Sequence, residues 1–218
     1  MAENAQTNET NQVEEEVSDK ILTIPNVIST IRLLMAPLFL ALLLNGHDMV
    51  AAILFGVAAA TDFVDGQIAR RTHSVSKLGQ LLDPTVDRVL MVCAVVGTLM
   101  VGRLPVWIVV LVLVRDGVMI LGGMHLLKNY QLRVPVIYAG KFATTFLFFG
   151  LFGLLLNMPI IQGLGWTTIE WLPGFNTNPC SWGIWFVYAG LLLGLFTTAY
   201  YIRKAVEGVR AYKESDAR

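Results

Sequence analysis

Six long apolar runs separated by short polar stretches constrain this 218-residue chain more than any other feature. A helix crosses the hydrocarbon core of a bilayer with about 20 apolar residues, within a range of roughly 17 to 25. The runs are Ile28–Leu44, Met49 to about Arg70, Pro84–Val101, Pro105 to about Leu127, Lys141–Leu156 and Trp182–Ile202. Charged residues make up 15% of the chain and hydrophobic ones 55%, whereas a soluble domain carries about 25% charged residues. The expected fold is therefore all-α: a polytopic integral membrane protein with six transmembrane helices. Pro84 suits a first helical turn, where its missing N–H costs nothing.

No internal repeat and no second domain is visible. Residues 1–20 form an acidic tail, with Glu14, Glu15 and Glu16 in a row and no apolar core of the kind a secretory leader needs; the composition predicts disorder. The membrane domain is expected over 21–203, and 204–218 is a C-terminal tail. A formal net charge of +0 gives no basic field for nucleic acid. Cys93 and Cys180 lie in different segments without metal-ligand spacing and read as structural thiols.

Orientation follows from Lys and Arg, which are enriched in short cytoplasmic loops. Arg70, Arg71 and Lys77 follow the second run; Lys128, Arg133 and Lys141 surround the fourth loop; Arg203, Lys204, Arg210, Lys213 and Arg218 lie in the C-terminal region. On the opposite side, Asn45–Asp48 and Asn157–Ser181 contain neither residue, and Gly102–Leu104 contains only Arg103. Both termini are thus expected in the cytoplasm. Trp166, Trp171, Trp182 and Trp185 then fall at the outer interface, as an aromatic belt would. The long fifth loop reads as an interfacial cap.

Between Asp62 and Asp87 the chain departs from this pattern. Four carboxylates, Asp62, Asp65, Asp83 and Asp87, lie between apolar runs, and charges at membrane depth mark sites where ions or substrates are handled. On helices, residues three or four apart share a face, so two helices joined by a turn can present all four acids to one another. Such acids would repel and raise one another's pKa. A hard divalent cation relieves this, and all-oxygen donors favour Mg²⁺, Mn²⁺ or Ca²⁺ over zinc. One or two ions would fit, and a bridged pair suits displacement at phosphorus. A bland charge network with Arg70, Arg71 and Arg88 would not explain Gly66 and Gly79, each costing about 1 kcal/mol in a helix. With Ala69 and Arg70, those glycines read as a phosphate cradle beside a metal. Neither a P-loop nor a dinucleotide fingerprint is present.

Asp62-x2-Asp65-Gly66-x2-Ala69-Arg70-x8-Gly79-x3-Asp83-x3-Asp87 resembles the signature of the CDP-alcohol phosphotransferases at all eight positions. Ile24-Pro25-Asn26, Ser29-Thr30, Arg32, Leu82-Asp83-Pro84 and Asp87-Arg88 are similar to its phosphatidylglycerophosphate synthase and cardiolipin synthase branch. The resemblance covers roughly Ile24 to Ile202. It implies transfer of the phosphatidyl group of CDP-diacylglycerol to an alcohol, with release of CMP, in anionic phospholipid synthesis. It further implies that Asp62, Asp65 and Asp83 are metal ligands, and that Asp87 is the general base, also touching metal. Gly66, Ala69, Arg70 and Gly79 would line the CDP moiety. The implied cofactor is Mg²⁺ or Mn²⁺, the implied assembly a homodimer, and the implied location the plasma membrane, with the site facing the cytoplasm.

The acceptor is read from other residues. An intramembrane Arg faces the bundle interior and pairs with an anion, and Arg115 lies within the fourth run; a salt bridge to Asp116 is the plain alternative. Arg115 and Gly140-Lys141 resemble the positions that hold an acceptor phosphate in the family. Arg32 is a further anion candidate, with snorkelling to the interface as its alternative. Glycerol 3-phosphate is the expected acceptor and phosphatidylglycerol the alternative, supported by Leu78-Gly79-Gln80 and Tyr138-x-Gly140-Lys141. A divalent-metal transporter is the competing class, but no matching half-repeats with broken helices are visible. Gly190-x3-Gly194 predicts a close helix contact, internal or between copies.

Overall fold

The computed structural model describes residues 24–72, 77–130 and 138–216, with side chains over 27–61, 85–130 and 138–210 and at 214. Among them, six helices dominate: α1 (Ile24–Leu44), α2 (Asp48–Thr72), α3 (Lys77–Met100), α4 (Val106–Tyr130), α5 (Tyr138–Leu156) and α6 (Gly183–Asp216). The acidic N-terminal tail lies outside the described residues.

The helix bounds follow the apolar runs, with two informative differences. α3 begins at Lys77, so Pro84 stands about two turns inside it rather than in its first turn. The bonds on either side of one missing donor suffice to carry the helix across it. α6 continues past Ile202 to Asp216, because Glu207 pairs with Arg203 and Lys204 at helical spacing. Between α5 and α6, β1 (Ile160–Ile161) and β2 (Cys180–Ser181) pair antiparallel, a small exception to an all-helical chain.

α1, α4, α5 and α6 are long and apolar enough to cross a membrane. The described apolar part of α2, Asp48–Thr61, is shorter than these. The protein is thus a mostly helical membrane protein with four spans recognisable by length and composition among the described residues.

Two helix ends are fixed by the same device. At the end of α1, Gly46 (φ 80°) donates to Leu43 O and His47 donates to Leu42 O. After α3, Gly102 (φ 72°) donates to Leu99 O and Arg103 donates to Thr98 O. Both are Schellman caps, which need a left-handed residue after the last turn.

Arg103 then ties three elements together at that end of the bundle. Its Nη1 donates to the carbonyls of Leu154 (3.2 Å) and Leu155 (3.1 Å) at the end of α5, and its Nη2 pairs with Asp48 at the start of α2. The last carbonyls of a helix lack intrahelical donors and carry the negative end of its dipole, so a cation is well placed there. This accounts for a lone Arg at the end of the bundle expected to hold almost no basic residues.

The core is built from every helix. Phe39 of α1 meets Phe55 of α2 edge-on at 5.5 Å, and Phe55 stacks on Phe148 of α5 at 5.8 Å. Around them lie Leu90 of α3, Ile108 of α4, Leu151 of α5 and Ile184 of α6, all buried. α5 and α6 form the tightest pair: a Cβ on Gly150 would lie 2.7 Å from Val187 N, and one on Gly190 would lie 2.8 Å from Leu147 N. Small residues let helix backbones approach where lipid gives no hydrophobic drive for association. Gly190 packs on α5 and Gly194 on Arg115 of α4, so the glycine pair of α6 serves contacts inside the chain.

Candidate active site

The four carboxylates lie on consecutive helices at the end of the bundle away from Arg103. Asp62 and Asp65 are on α2, with Gly66, Ala69 and Arg70 in its next turns; Gly79, Asp83 and Asp87 are on α3. Of the four acids, only Asp87 has a described side chain; those of Asp62, Asp65, Gly66, Ala69, Arg70, Gly79 and Asp83 lie outside the described residues. The helical backbones give the spacings i, i+3 and i, i+4 that put each acid pair on one face. The donor set is all carboxylate, which fits a hard divalent cation.

Asp87 is held by α1. Arg32 Nη1 donates to its Oδ1 at 3.1 Å, and the Arg32 side chain is 0% exposed against 39% for Asp87. Burial removes snorkelling as an account of Arg32. An ionised, hydrogen-bonded pair of this kind is strong and directional. It anchors a part-exposed carboxylate from its buried side and so fixes the orientation of the group expected to act as base. The sequence reading gave Arg32 to an acceptor phosphate; the structure places its guanidinium on Asp87.

The next residue turns to the other side. Arg88 Nη1 donates to Asp116 Oδ2, and Asp116 Oδ1 accepts from Arg115 Nη1 at 2.8 Å. The salt bridge that competed with anion binding is therefore formed, but it does not use Arg115 up. Arg115 is buried, with 7% exposed, and its Nε has no hydrogen-bond partner. That Nε faces Gly194, where a Cβ would stand 3.4 Å away. An unmatched buried donor on a charged group is costly. Arg88 and Arg115 share one carboxylate, so this cluster holds one cation in excess among the described side chains.

Lys141 lies at the start of α5. It is exposed, with Nζ 5.5 Å from the Tyr138 ring centroid, a cation–π distance. Its neighbour Gly140 approaches Thr197 and Tyr201 of α6, one and two turns beyond Gly194. Arg115 and the Gly140-Lys141 pair thus meet α6 at successive turns.

Sequence reasoning missed the link through Arg88 and Asp116. Its signal was the Asp87-Arg88 dipeptide on a helix: adjacent residues diverge by about 100°, as 3.6 residues per turn dictates, so one reaches α1 and the other α4. Elsewhere, His125 bonds to Asn129 on the same helix, and His47 is exposed. Cys93 and Cys180 are free and half-buried. Burial raises the Cys180 thiol above its usual pKa, as expected of an unreactive structural thiol.

Known proteins are similar in sequence over most of the chain. Residues 22–202 match the model of the CDP-alcohol phosphatidyltransferase family. A Mycobacterium tuberculosis protein provisionally named a cardiolipin synthase is 36% identical over 179 residues, 79% of each chain. A Streptomyces coelicolor protein named "Cardiolipin synthase (CMP-forming)" is 35% identical over 68% of this chain and 70% of its own. An Aquifex aeolicus CDP-diacylglycerol–glycerol-3-phosphate 3-phosphatidyltransferase is 34% identical over 57% of this chain and 71% of its own. With a family match over residues 22–202, which reaches into all six helices, the chain belongs to the CDP-alcohol phosphatidyltransferases and is a phosphatidyltransferase.

Proposed function

We propose that this protein transfers the phosphatidyl group of CDP-diacylglycerol to the hydroxyl of an acceptor that itself bears a phosphate, with glycerol 3-phosphate as the primary acceptor. The observation that carries this reading is the Arg88–Asp116–Arg115 cluster. It begins at Arg88, one residue along α3 from Asp87, and holds an excess cation and, on Arg115 of α4, an unmatched buried donor. An anionic acceptor would be drawn to that cluster while its hydroxyl meets the carboxylate.

In the reaction, Asp87 takes the proton of the acceptor hydroxyl as the new oxygen–phosphorus bond forms to the phosphatidyl phosphate. The bond from that phosphorus to the CMP oxygen breaks, and CMP leaves. Base catalysis of this kind contributes about 10²- to 10⁴-fold. Arg32 keeps Asp87 aimed, and Arg115 with Lys141 holds the acceptor phosphate. Asp62, Asp65, Asp83 and Asp87 would hold Mg²⁺ or Mn²⁺, as one ion or two, which when bound supplies charge neutralisation to the diphosphate. Gly66, Ala69, Arg70 and Gly79 would line the CDP. In this reading the chain spans the plasma membrane six times with both termini and the site on the cytoplasmic side, where a soluble nucleotide meets a lipid tail.

A second reading, phosphatidylglycerol as acceptor and cardiolipin as product, is favoured by the greater coverage of the relatives named cardiolipin synthases. The test is CMP release by purified protein given CDP-diacylglycerol with Mg²⁺ or Mn²⁺ and either acceptor. Release with glycerol 3-phosphate supports the primary reading, and release only with phosphatidylglycerol moves the assignment to the second. Metal uptake into vesicles without CMP release would overturn both.

A further inference from the structure

Residues 157–181, between α5 and α6, do not stand clear of the bundle. Trp107, in the first turn of α4, donates from Nε1 to Trp171 O at 2.8 Å, and Tyr188 of α6 donates to Pro173 O at 2.9 Å. Phe175 packs on the rings of Trp185 (5.1 Å) and Tyr188 (5.5 Å), and a Cβ on Gly174 would lie 3.3 Å from Ile184. The segment therefore lies along the flank of the first two turns of α6, beside the lipid-facing surface of α4.

Irregular backbone is tolerated near hydrocarbon only when its polar groups are matched within the protein. Here many are. Leu164 N donates to Gly174 O, Gly165 N to Asn176 O, and Trp166 and Thr167 both to Phe175 O. β1 pairs with β2, Ser181 Oγ donates to Gly153 O, and Trp182 Nε1 donates to Met158 O.

The outward surface has the opposite character. Met158, Ile160, Leu164, Trp166, Ile169 and Trp171 are all exposed, Trp166 to 78%. Glu170 is the one charged residue between 157 and 181. So many exposed large apolar side chains in one segment mark an interaction site, and tryptophan favours the boundary between headgroups and acyl chains.

We propose that this segment is a membrane-docking cap whose partner is the phospholipid leaflet at the end of the bundle opposite Asp87. Trp107, which bonds the cap, stands next to exposed Val106 at the start of α4, and exposed Val110 and Val114 follow at one-turn spacing, so the lipid that covers the helix reaches the cap. With no Lys or Arg in the segment, docking rests on apolar burial and is indifferent to lipid charge. The interior bonds hold the shape; Trp166 and its neighbours insert.

The test uses the full chain in vesicles, comparing the wild type with Trp166→Phe. Trp166 is mostly exposed and its ring approaches that of Phe175 at 6.2 Å; phenylalanine keeps an aromatic ring at that contact, so the difference in emission is that of Trp166. Expected is strong quenching of the difference signal by lipids brominated near the headgroup end of the acyl chain. Iodide in the water should quench it little, and phosphatidylcholine vesicles with or without phosphatidylglycerol should behave alike. Quenching by iodide and not by brominated lipid would overturn the proposal in favour of a solvent-facing loop. Quenching by neither would overturn it in favour of cover by protein, such as a second copy. None of these readouts depends on which acceptor the enzyme uses.

Discussion

At the scale of residues, the site separates two tasks between neighbours on one helix. Asp87 faces Arg32, and Arg88 faces Asp116 and through it Arg115. Substitution should separate the two tasks. Asp87→Asn keeps size and hydrogen bonding but removes the proposed proton acceptor, so turnover should fall by about 10²-fold or more while CDP-diacylglycerol still binds. Asp116→Asn leaves the base in place and loosens Arg115. A hydrogen bond to a charged group is worth about 1.5–3 kcal/mol, so the KM for the acceptor should rise about 10-fold or more with a smaller change in kcat. Steady-state kinetics varying each substrate in turn checks both; equal effects on the two substrates' KM values would show that Asp116 serves the fold and not the acceptor. The eight-position motif could be read from the chain because its chemistry fixes residue type and spacing. The Arg32–Asp87 pair could not, since 55 positions separate its members and only packing brings α1 onto α3.

At the scale of elements, the apolar runs named the helices, and glycine decides how closely two of them meet. α5 and α6 touch backbone to backbone at Gly150 and Gly190, and α6 in turn presents Gly194 to Arg115. A larger side chain in that seam moves α6 against α4 as well as α5. Gly190→Leu puts its Cβ 2.8 Å from Leu147 N, and backbone cannot swing aside as a flexible side chain can. Overpacking costs about 1–3 kcal/mol, occasionally more. At this chain length each kcal/mol corresponds to about 2–4 °C of melting temperature. A lower Tm in detergent, together with a raised acceptor KM, is expected. An unchanged Tm would mean that the helices part without cost. The seam was only half legible in the sequence: Gly190-x3-Gly194 announced a contact, but a repeat of small residues carries no information on which helix receives it.

At the scale of the whole molecule, the two ends of the bundle differ in chemistry in a way that predicts its orientation. One end carries the acid motif, Arg70, Arg71, Lys128, Lys141 and the basic extension of α6; the other carries the aromatic cap and Arg103. Arg103 is neutralised by Asp48 and spent on the carbonyls of α5, so it does not act as a free basic residue in setting topology. Lys and Arg in short loops keep those loops in the cytoplasm, and the reaction needs CDP-diacylglycerol and CMP on one side of the bilayer. Four helices are recognisable as spans from length and composition alone. The stretches of α2 and α3 with described side chains, 48–61 and 85–100, are shorter than a full crossing. Six crossings nonetheless give the one arrangement that puts every basic loop on a single side. A fluorescent protein fused after Arg218 should therefore fold and emit in the cytoplasm, and alkaline phosphatase fused there should be inactive. The same phosphatase inserted after Gly165, in the cap, should be active. Phosphatase activity at both positions would require an even number of crossings between them, so that α6 does not cross, and would sink the six-span arrangement, while leaving the family and its reaction untouched.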